Sequence, residues 1–231
     1  QILKKRIPKI FISSTDPNPL ISGKGLSYLK KNNIKVINSP KKLDMFKNIN
    51  KHFYYYYLNK RPYITLKLAV SKNGFSKDFD SPDITSDKTQ YYMHKYRLTH
   101  DAIAIGYNTY KDDNPKLSCR LNGVDKNISK FVISHNNNKF KKFYSLQFDD
   151  KKSENSLFNS LNKYNIKSIL IEGGANTFNY FFKNKIFDEI IICQSNKIIR
   201  SSKLRYKINL SLLKKNLRMY SSYSYNGDMI K

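Results

Sequence analysis

The stretch that most constrains the fold of this chain is SILIEGGANTFNYFFKN, residues 168–184. It begins with an apolar run of strand length, passes through Glu172 and two glycines, and continues with phenylalanines at helical spacing. A strand that breaks at Gly-Gly and leads into a helix leaves backbone N–H groups unpaired at the turn, where the helix dipole also favours a phosphate. Glu172 should lie at the carboxyl end of that strand, where open α/β sheets bind ligands. Taken alone, the motif fits a phosphate site and an ordinary strand-to-helix turn equally well.

Strand and helix patterns alternate through residues 61–192. Apolar runs of strand length occupy residues 63–70, 101–106, 131–133, 168–171 and the first part of 187–199. Helical patterns follow Thr85-Ser86, either of which can cap a helix, and cover residues 157–164. Alternation of this kind predicts an α/β domain, residues 61–231, with a mostly parallel central sheet flanked by helices.

The other segments are predicted from turn residues and weaker patterns. We predict a polar loop at residues 108–117, an exposed strand and loops at 135–155, and a hairpin about Asn226-Gly227 in residues 217–231. Residues 1–60 are predicted to form a separate, small α/β unit. Its elements are strands at 10–12 and 34–37, a helix that opens at Gly23-Lys24-Gly25, and a second helix at 41–60.

The formal net charge of +26 invites a nucleic-acid-binding interpretation. However, the lysines are scattered along the chain, and they accompany many Asn, Ile, Tyr and Phe residues, as an AT-rich coding bias produces. This pattern argues against nucleic-acid binding as the primary function and suits a phosphorylated small molecule. No apolar run approaches the roughly 18 residues of a membrane span. The two cysteines, Cys119 and Cys193, have no metal-type spacing, which fits a reduced cytoplasmic protein.

Candidate chemistry is confined to a few charged residues. No Ser-His-Asp, Cys-His or zinc-ligand set can be assembled, and we expect the four histidines to be surface or capping residues. What remains is Lys67, Arg97, Asp113, Arg120 and Glu172, at or near strand ends. Arginines, a lysine and a Gly-Gly turn suit a substrate with at least one phosphate. So few acid–base groups suit an enzyme whose cofactor performs the difficult step, as in hydride transfer.

Three blocks of the chain resemble the reductase domain of the bifunctional riboflavin-biosynthesis deaminase/reductase family. They are RPYITLKLAVSKNG, SPDITSDKTQYYMHKYRLTHDAIAIGYNTYKDDNPKLSCR and SILIEGGANTF, in the family's order and spacing over most of residues 61–185. The resemblance implies a dihydrofolate-reductase-like fold, NADPH as hydride donor and association as a homo-oligomer. The substrate it implies is 5-amino-6-(5-phosphoribosylamino)uracil, whose ribose is reduced to a ribityl chain.

The resemblance also implies the roles of individual residues. The family's substrate-contacting positions match Ser81, Arg97, Leu117, Arg120 and Glu172. Its NADP-contacting positions match Ala69, Thr109, Asp113, Gly174, Ala175, Asn176, Thr177, Phe178, Asn179 and Tyr180. Lys67 is the candidate for polarising the sugar oxygen, with Glu172 orienting or protonating it. The plainer interpretation of Lys67 is a strand-end lysine paired with a neighbouring carboxylate.

The chain departs from the family at two of these positions. Asp83 stands where the family usually has Trp, and His135 stands where a small residue or Ser is common near the cofactor's ribose. Both departures bear on cofactor affinity more than on the type of reaction.

Residues in the first unit resemble the closing segment of the family's cytidine-deaminase-like domain, through DPNPLISGKGLSYLKKNNIKV. That domain's zinc site needs His-x-Glu and Pro-Cys-x-x-Cys, and the chain contains neither motif. We therefore expect no zinc in this chain alone. Either the zinc-binding part lies upstream of Gln1, or it is lost and the remnant packs against the reductase domain. Because the chain lacks an initiator Met, we favour the first alternative.

Two alternatives stay open at this stage. One is a reductase of the same fold that acts on a pterin. The arginines and the Gly-Gly turn argue against this alternative, because they suit a phosphate and a pterin need not carry one. The other is a basic module for RNA or another polyanion on a decayed reductase scaffold, which predicts affinity that falls steeply with salt and no cofactor selectivity.

Overall fold

The computed structural model describes residues 1–38, 48–81, 83–119, 121, 124, 126–135, 139–147, 154–218, 221–225 and 227–231. The chain forms two compact units, residues 1–61 and residues 62–231.

The described residues of the first unit include a two-stranded parallel sheet and helices. Strand β1 (Lys9–Ile12) pairs with β2 (Lys35–Asn38), and helix α1 (Lys24–Lys31) connects them. These elements confirm the strands predicted at 10–12 and 34–37 and the helix predicted after Gly23. Helix α2 (Lys51–Asn59) lies within the helix predicted at 41–60, of which residues 41–47 fall outside the described residues.

The described part of the second unit contains one eight-stranded sheet. Its strands are β3 (Tyr63–Val70), β4 (Ala102–Gly106), β5 (Ser129–Ser134), β6 (Tyr144–Gln147), β7 (Ser168–Glu172), β8 (Glu189–Gln194), β9 (Tyr223–Tyr225) and β10 (Asp228–Ile230). They lie in the order β6-β5-β4-β7-β3-β8-β10-β9. Strands β3 to β8 run parallel to one another, whereas β10 pairs antiparallel with both β8 and β9. The predicted α/β class with a mostly parallel sheet is therefore confirmed, as is the C-terminal hairpin, although Asn226 itself lies outside the described residues.

Helices cover both faces of this sheet. They are α3 (Asp87–Thr99), α4 (Tyr107–Asp113), α5 (Glu154–Lys163), α6 (Ala175–Lys183) and α7 (Leu210–Asn216). The apolar faces of α5 and α6 pack with alternate residues of β3, β4 and β7 in the main core. Smaller clusters cover the opposite face, one around Met93 of α3 and one that includes Tyr110 of α4. Central strands buried on both faces are expected to be apolar throughout, and all five residues of β4 are buried.

The prediction of a polar loop at residues 108–117 is wrong, because helix α4 covers its first half. Tyr110 of this helix packs edge-on against Phe140 and Phe143, which follow strand β5 in the chain. The helix ends at Asn114, which has a left-handed φ of 40° and whose N–H donates to the Tyr110 carbonyl. Packing of the partly buried Tyr110 against other aromatic rings therefore stabilises a segment whose own sequence shows little helical periodicity.

Two glycines allow α6 to begin close to the carboxyl ends of β4 and β7. A Cβ added at Gly106 would overlap the Thr177 side chain, and one at Gly173 would lie 3.1 Å from Thr177 Cβ. A Cβ added at Gly174, by contrast, would meet nothing within 4 Å. The first turn of α6 is therefore held against the two strand ends by contacts that a larger residue would disturb.

We predict that Gly106→Ala lowers the free energy of unfolding by about 1–3 kcal/mol, because the added methyl group displaces Thr177. Urea denaturation would measure the change. Gly174→Ala is the matched control and should stay within about 0.5 kcal/mol of the wild type, since its methyl group enters open space. Equal stability of the two variants would contradict this view of the glycine contact.

Candidate functional site

A cavity of about 1340 Å³ lies along the carboxyl ends of β3, β4, β5 and β7. Because the carboxyl ends of parallel strands meet at one edge of the sheet, residues distant in sequence converge there. The predicted site residues that line the cavity are Lys67, Ala69, Arg97, Thr109, Asp113, Leu117, Glu172, Gly174, Ala175, Asn176, Thr177 and Tyr180. Asp83 and His135, the two departures from the family pattern, line it as well.

Four predicted site residues are not found at the cavity wall. Phe178 is buried in the main core, because it lies on the sheet-facing side of α6. Asn179 lies on the exposed side of the same helix. Ser81 is outside the cavity lining, and its hydroxyl donates a 3.4 Å hydrogen bond to the Asp83 carbonyl. Arg120 lies outside the described residues.

The most tightly bonded group in the cavity is the pair formed by Arg97 and Glu172. Arg97 Nε donates to Glu172 Oε1 and Arg97 Nη2 donates to Glu172 Oε2, both at 2.9 Å. Arg97 Nη1 donates to the Ser118 carbonyl at 2.8 Å. The two side chains are only 16% and 11% exposed, so this is a largely buried, two-pronged ion pair.

Lys67 is placed beside Glu172 by strand register. The two residues are direct partners in the parallel pairing of β3 with β7, so their side chains project from the same face of the sheet. Within the described chain, no hydrogen-bonding partner of Lys67 Nζ is found. Its positive charge nevertheless acts on Glu172, as the carboxyl's pKa shows.

The pKa of Glu172 is lowered from its ordinary value. Burial by itself would raise it, but the charge of Lys67 and the hydrogen bonds and charge of Arg97 outweigh burial, and His94 lowers it further when protonated. The pKa of Arg97 is raised, since its bonds to Glu172 outweigh the opposite effect of burial. Glu172 is therefore a carboxylate at neutral pH and accepts hydrogen bonds without a proton to donate.

Helix α6 presents its N-terminus to the cavity. Its first three residues, 175–177, all line the cavity wall, and no side chain caps the helix end. N–H groups of a first helical turn have no partner within the helix and carry the positive end of its dipole. Since a Cβ at Gly174 would point into open space, the backbone there can be approached closely. This arrangement suits a phosphate group.

Leu117 lines the cavity in a strained backbone conformation. Its φ is 45°, in the left-handed region that residues other than glycine rarely adopt, and its side chain is buried. The segment is held on both sides, because Lys130 Nζ donates to the Lys116 carbonyl and Arg97 donates to the Ser118 carbonyl. Strain of this kind is concentrated at functional sites, where surrounding contacts maintain it.

A second group of charged residues lines the cavity around Lys77. Lys77 Nζ donates to Asp112 Oδ2 at 2.8 Å and lies over the Phe79 and Tyr206 rings. Burial raises the pKa of the neighbouring Asp113; the charge of Lys77 opposes that shift and the charge of Asp112 adds to it.

Among the cavity residues that sequence reasoning missed is His94, which was expected to be a surface or capping residue. It lies one helical turn before Arg97 in α3, and its Nδ1 is 3.4 Å from Arg97 Nη1. The spacing of three residues was the available signal, because residues i and i+3 share a helix face.

Metal-ligand sets and membrane-spanning helices are both absent among the residues that the structure describes. No set of three or more His, Cys, Asp or Glu residues among them is arranged to hold a metal ion. None of the helices among them has the length and apolar character needed to cross a membrane.

Comparisons with known proteins match the second unit to one family. The model of the RibD C-terminal domain matches residues 62–231. A riboflavin biosynthesis protein RibD from Bacillus amyloliquefaciens is 38% identical over 122 residues, which are 52% of this chain and 33% of that protein. The chain thus spans about a third of the length of this relative. The family predicted from the three sequence blocks is confirmed.

Solved structures show the same fold over both units. Acinetobacter baumannii RibD superposes with a TM-score of 0.82 at 20% identity, covering 99% of this chain and 73% of that one. A deaminase/5-amino-6-(5-phosphoribosylamino)uracil reductase from Thermotoga maritima gives a TM-score of 0.75 at 23% identity, covering 99% and 72%.

The lowered pKa of Glu172 makes stability depend on pH. Because the folded carboxyl binds its proton less readily than the unfolded one, its contribution is complete above the ordinary glutamate pKa of about 4.3 and is lost as the pH falls below it. Glu172→Gln should cost about 2 kcal/mol at pH 7 by leaving Arg97 unpaired, and should flatten the loss of stability toward pH 3. Denaturant unfolding across this pH range measures both effects.

Asp112→Asn is the control for this prediction. It removes an ion pair whose carboxylate is exposed, so no change in stability should be measured. A Glu172→Gln protein as stable as the wild type at pH 7 would show that the Arg97 contact does not stabilise the fold.

Proposed function

The chain belongs to the RibD C-terminal domain family, and we propose that it is the reductase of riboflavin biosynthesis that acts on 5-amino-6-(5-phosphoribosylamino)uracil with NADPH. The Thermotoga maritima protein, whose fold it shares, carries that reductase name. The observation that supports the proposal most is the presence of Lys67, Glu172 and the uncapped N-terminus of α6 in a single cavity. A cation, a carboxylate and a phosphate-binding helix end are the parts that reduction of a phosphorylated sugar requires.

The residues present fit a dinucleotide. The cavity has room for an elongated ligand, and the open backbone at Gly174 with the first turn of α6 suits its diphosphate. Ala69, Thr109 and Asp113, which we propose as further cofactor contacts, line the same cavity. When bound, NADPH supplies the hydride, so the protein itself needs only to bind, orient and transfer a proton.

We assign the proton to Lys67 and the orienting role to Glu172. Of the two roles expected for Glu172, its ionised state favours accepting hydrogen bonds from sugar hydroxyls and disfavours protonating the sugar. Lys67 carries donors only, stands beside Glu172 in strand register, and can donate toward a sugar oxygen as negative charge develops there. The plainer interpretation of Lys67, pairing with a neighbouring carboxylate, is compatible with this role, because Glu172 lies beside Lys67 in strand register and feels its charge, although no hydrogen bond joins the two in the described chain.

Arg97 is assigned mainly to holding Glu172. Its Nε, Nη1 and Nη2 atoms all donate to protein acceptors, so a phosphate would have to use a remaining N–H or displace one of these bonds. Arg120 stays a candidate for the phosphate on the basis of the family resemblance, and Lys116 at the cavity wall is a second one. Ser81 and Leu117 stay candidates for contacts to the rest of the substrate.

Other expectations for the whole protein are part of the same proposal. The fold match to RibD structures extends over 99% of the chain, which supports the first unit as the closing part of a deaminase-like domain. A homo-oligomer and a cytoplasmic location are proposed from the family. Family membership favours a riboflavin reductase over a pterin reductase and over a polyanion-binding module on a decayed scaffold.

The test is oxidation of NADPH by the purified chain with the phosphoribosylamino substrate. We expect turnover with NADPH, little with NADH, and none when a dihydropterin replaces the substrate. Lys67→Met should lower kcat by about 100-fold, because the proton donor is lost, while the Kd for NADPH stays near the wild-type value.

Lys88→Met is the control, since Lys88 is an exposed residue of α3 that lies outside the cavity lining. It should keep wild-type turnover. No turnover with the phosphoribosylamino substrate would contradict the proposed function, whereas full turnover by Lys67→Met would contradict only the role of Lys67.

A second prediction concerns the backbone at Gly174, beside which the diphosphate is proposed to bind. Gly174→Ala should weaken NADPH binding by about tenfold, because its methyl group occupies the open space through which a phosphate approaches the first turn of α6. Fluorescence titration with NADPH measures the Kd. An unchanged Kd in a stably folded Gly174→Ala protein would place the diphosphate elsewhere.

A further inference from the structure

A second titratable residue of α3 faces the same cavity as Arg97. His94 is half-buried, lines the cavity and precedes Arg97 by one helical turn. Its Nδ1 lies 3.4 Å from Arg97 Nη1. A guanidinium has donors and no acceptors, so this contact is a hydrogen bond only when His94 Nδ1 accepts. The geometry therefore calls for a neutral imidazole that carries its proton on Nε2.

The contact matters because Arg97 sets the position of Glu172. Arg97 Nη1 has two acceptors, the Ser118 carbonyl at 2.8 Å and His94 Nδ1, while its Nε and Nη2 hold the carboxylate. These acceptors fix the plane of the guanidinium, and that plane fixes both oxygens of Glu172. A protonated His94 could no longer accept, and it would place a second positive charge against the guanidinium.

We infer that His94 is a positioning residue for the proposed reduction. In its neutral form it accepts a hydrogen bond from Arg97 and so keeps Glu172 oriented in the cavity. When protonated, His94 can no longer accept this hydrogen bond, and the orientation of Arg97 and Glu172 is less well fixed. The inference rests on the proposed function for its effect on turnover, whereas the tautomer of His94 can be tested without any reaction. Histidine is suited to such a role because its charge ordinarily changes between pH 5 and 8.

Several charged or titratable groups surround His94. Arg97 faces it from its own helix, and Glu172 and Lys67 lie beyond Arg97 on β7 and β3. Cys119, in the segment after α4, donates its Sγ–H to the His94 carbonyl at 3.2 Å. Since the pKa of Glu172 is lowered, Glu172 keeps its charge through the range in which histidine titrates.

The decisive variant is His94→Asn, because the Asn amide oxygen occupies the position of imidazole Nδ1 and accepts a hydrogen bond at every pH. We expect its kcat/KM at pH 7.5 to lie within about threefold of the wild type. The ratio of kcat/KM between His94→Asn and wild type should rise about tenfold between pH 7.5 and pH 5.5, as wild-type His94 becomes protonated. The substrate phosphate, whose second pKa is about 6, also titrates in this range. Because both proteins are assayed with the same substrate, its effect on kcat/KM cancels in the ratio.

Two control measurements accompany the His94→Asn variant. His52→Asn, a histidine substitution on α2 of the first unit, should keep a constant ratio to the wild type over the same pH range. The Kd of His94→Asn for NADPH should match that of the wild type at both pH values, because Arg97 and Glu172 are assigned to the substrate. A constant kcat/KM ratio for His94→Asn, or a folded His94→Asn protein that is inactive at pH 7.5, would overturn the inference.

The tautomer is measured on the wild-type chain by NMR with ¹⁵N-labelled histidine, for which only four residues give signals. At pH 7.5 we expect Nδ1 of His94 without a proton and Nε2 with one. A proton on Nδ1 would overturn the inference even if the chain proves to have no reductase activity. Conversely, absence of turnover with the expected tautomer would contradict the proposed function and leave the contact between His94 and Arg97 in place.

Discussion

The carboxylate of Glu172, held between two cations, is the feature on which the site depends. Arg97 binds both of its oxygens and Lys67 faces it from the neighbouring strand, so the carboxyl stays ionised although the residue is only 9% exposed. Burial of a single charge is costly, and the pair compensates for that cost only because both partners are fixed. One consequence is chemical: the ionised Glu172 can accept hydrogen bonds but has no proton to donate.

The order of the strands explains how this cluster arises. Strand β7 lies between β4 and β3, so the acid at its end has Ile105 on one side and Lys67 on the other. Side chains alternate along a strand, and Ile171 faces the main core, so Glu172 faces the opposite side, where α3 supplies Arg97. The glycines after Glu172 then bring the first turn of α6 against the same edge. The acid, the cations and the uncapped N-terminus of α6 thus share one cavity because of the topology of the sheet.

Much of this could be predicted from local sequence, and some of it could not. The strand, Gly-Gly break and helix at residues 168–184 were predicted because each element has its own pattern. Helix α4 was missed because its stability depends on Tyr110 contacting distant phenylalanines. The pairing of Arg97 with Glu172 joins residues 75 positions apart, a separation that no spacing rule covers. Arg97 and Glu172 were each predicted as charged residues near strand ends and matched the family's substrate-contacting positions, but their pairing was not predicted. His94, for which the resemblance gave no role, was missed.

A crystal structure of the chain with NADPH bound would test the proposed use of the cavity most directly. We expect the diphosphate oxygens within hydrogen-bonding distance of the backbone N–H groups of residues 175–177, and the nicotinamide ring at the end of the cavity that holds Lys67 and Glu172. A dinucleotide bound outside this cavity, or with its adenine end beside Lys67, would contradict the proposed mechanism.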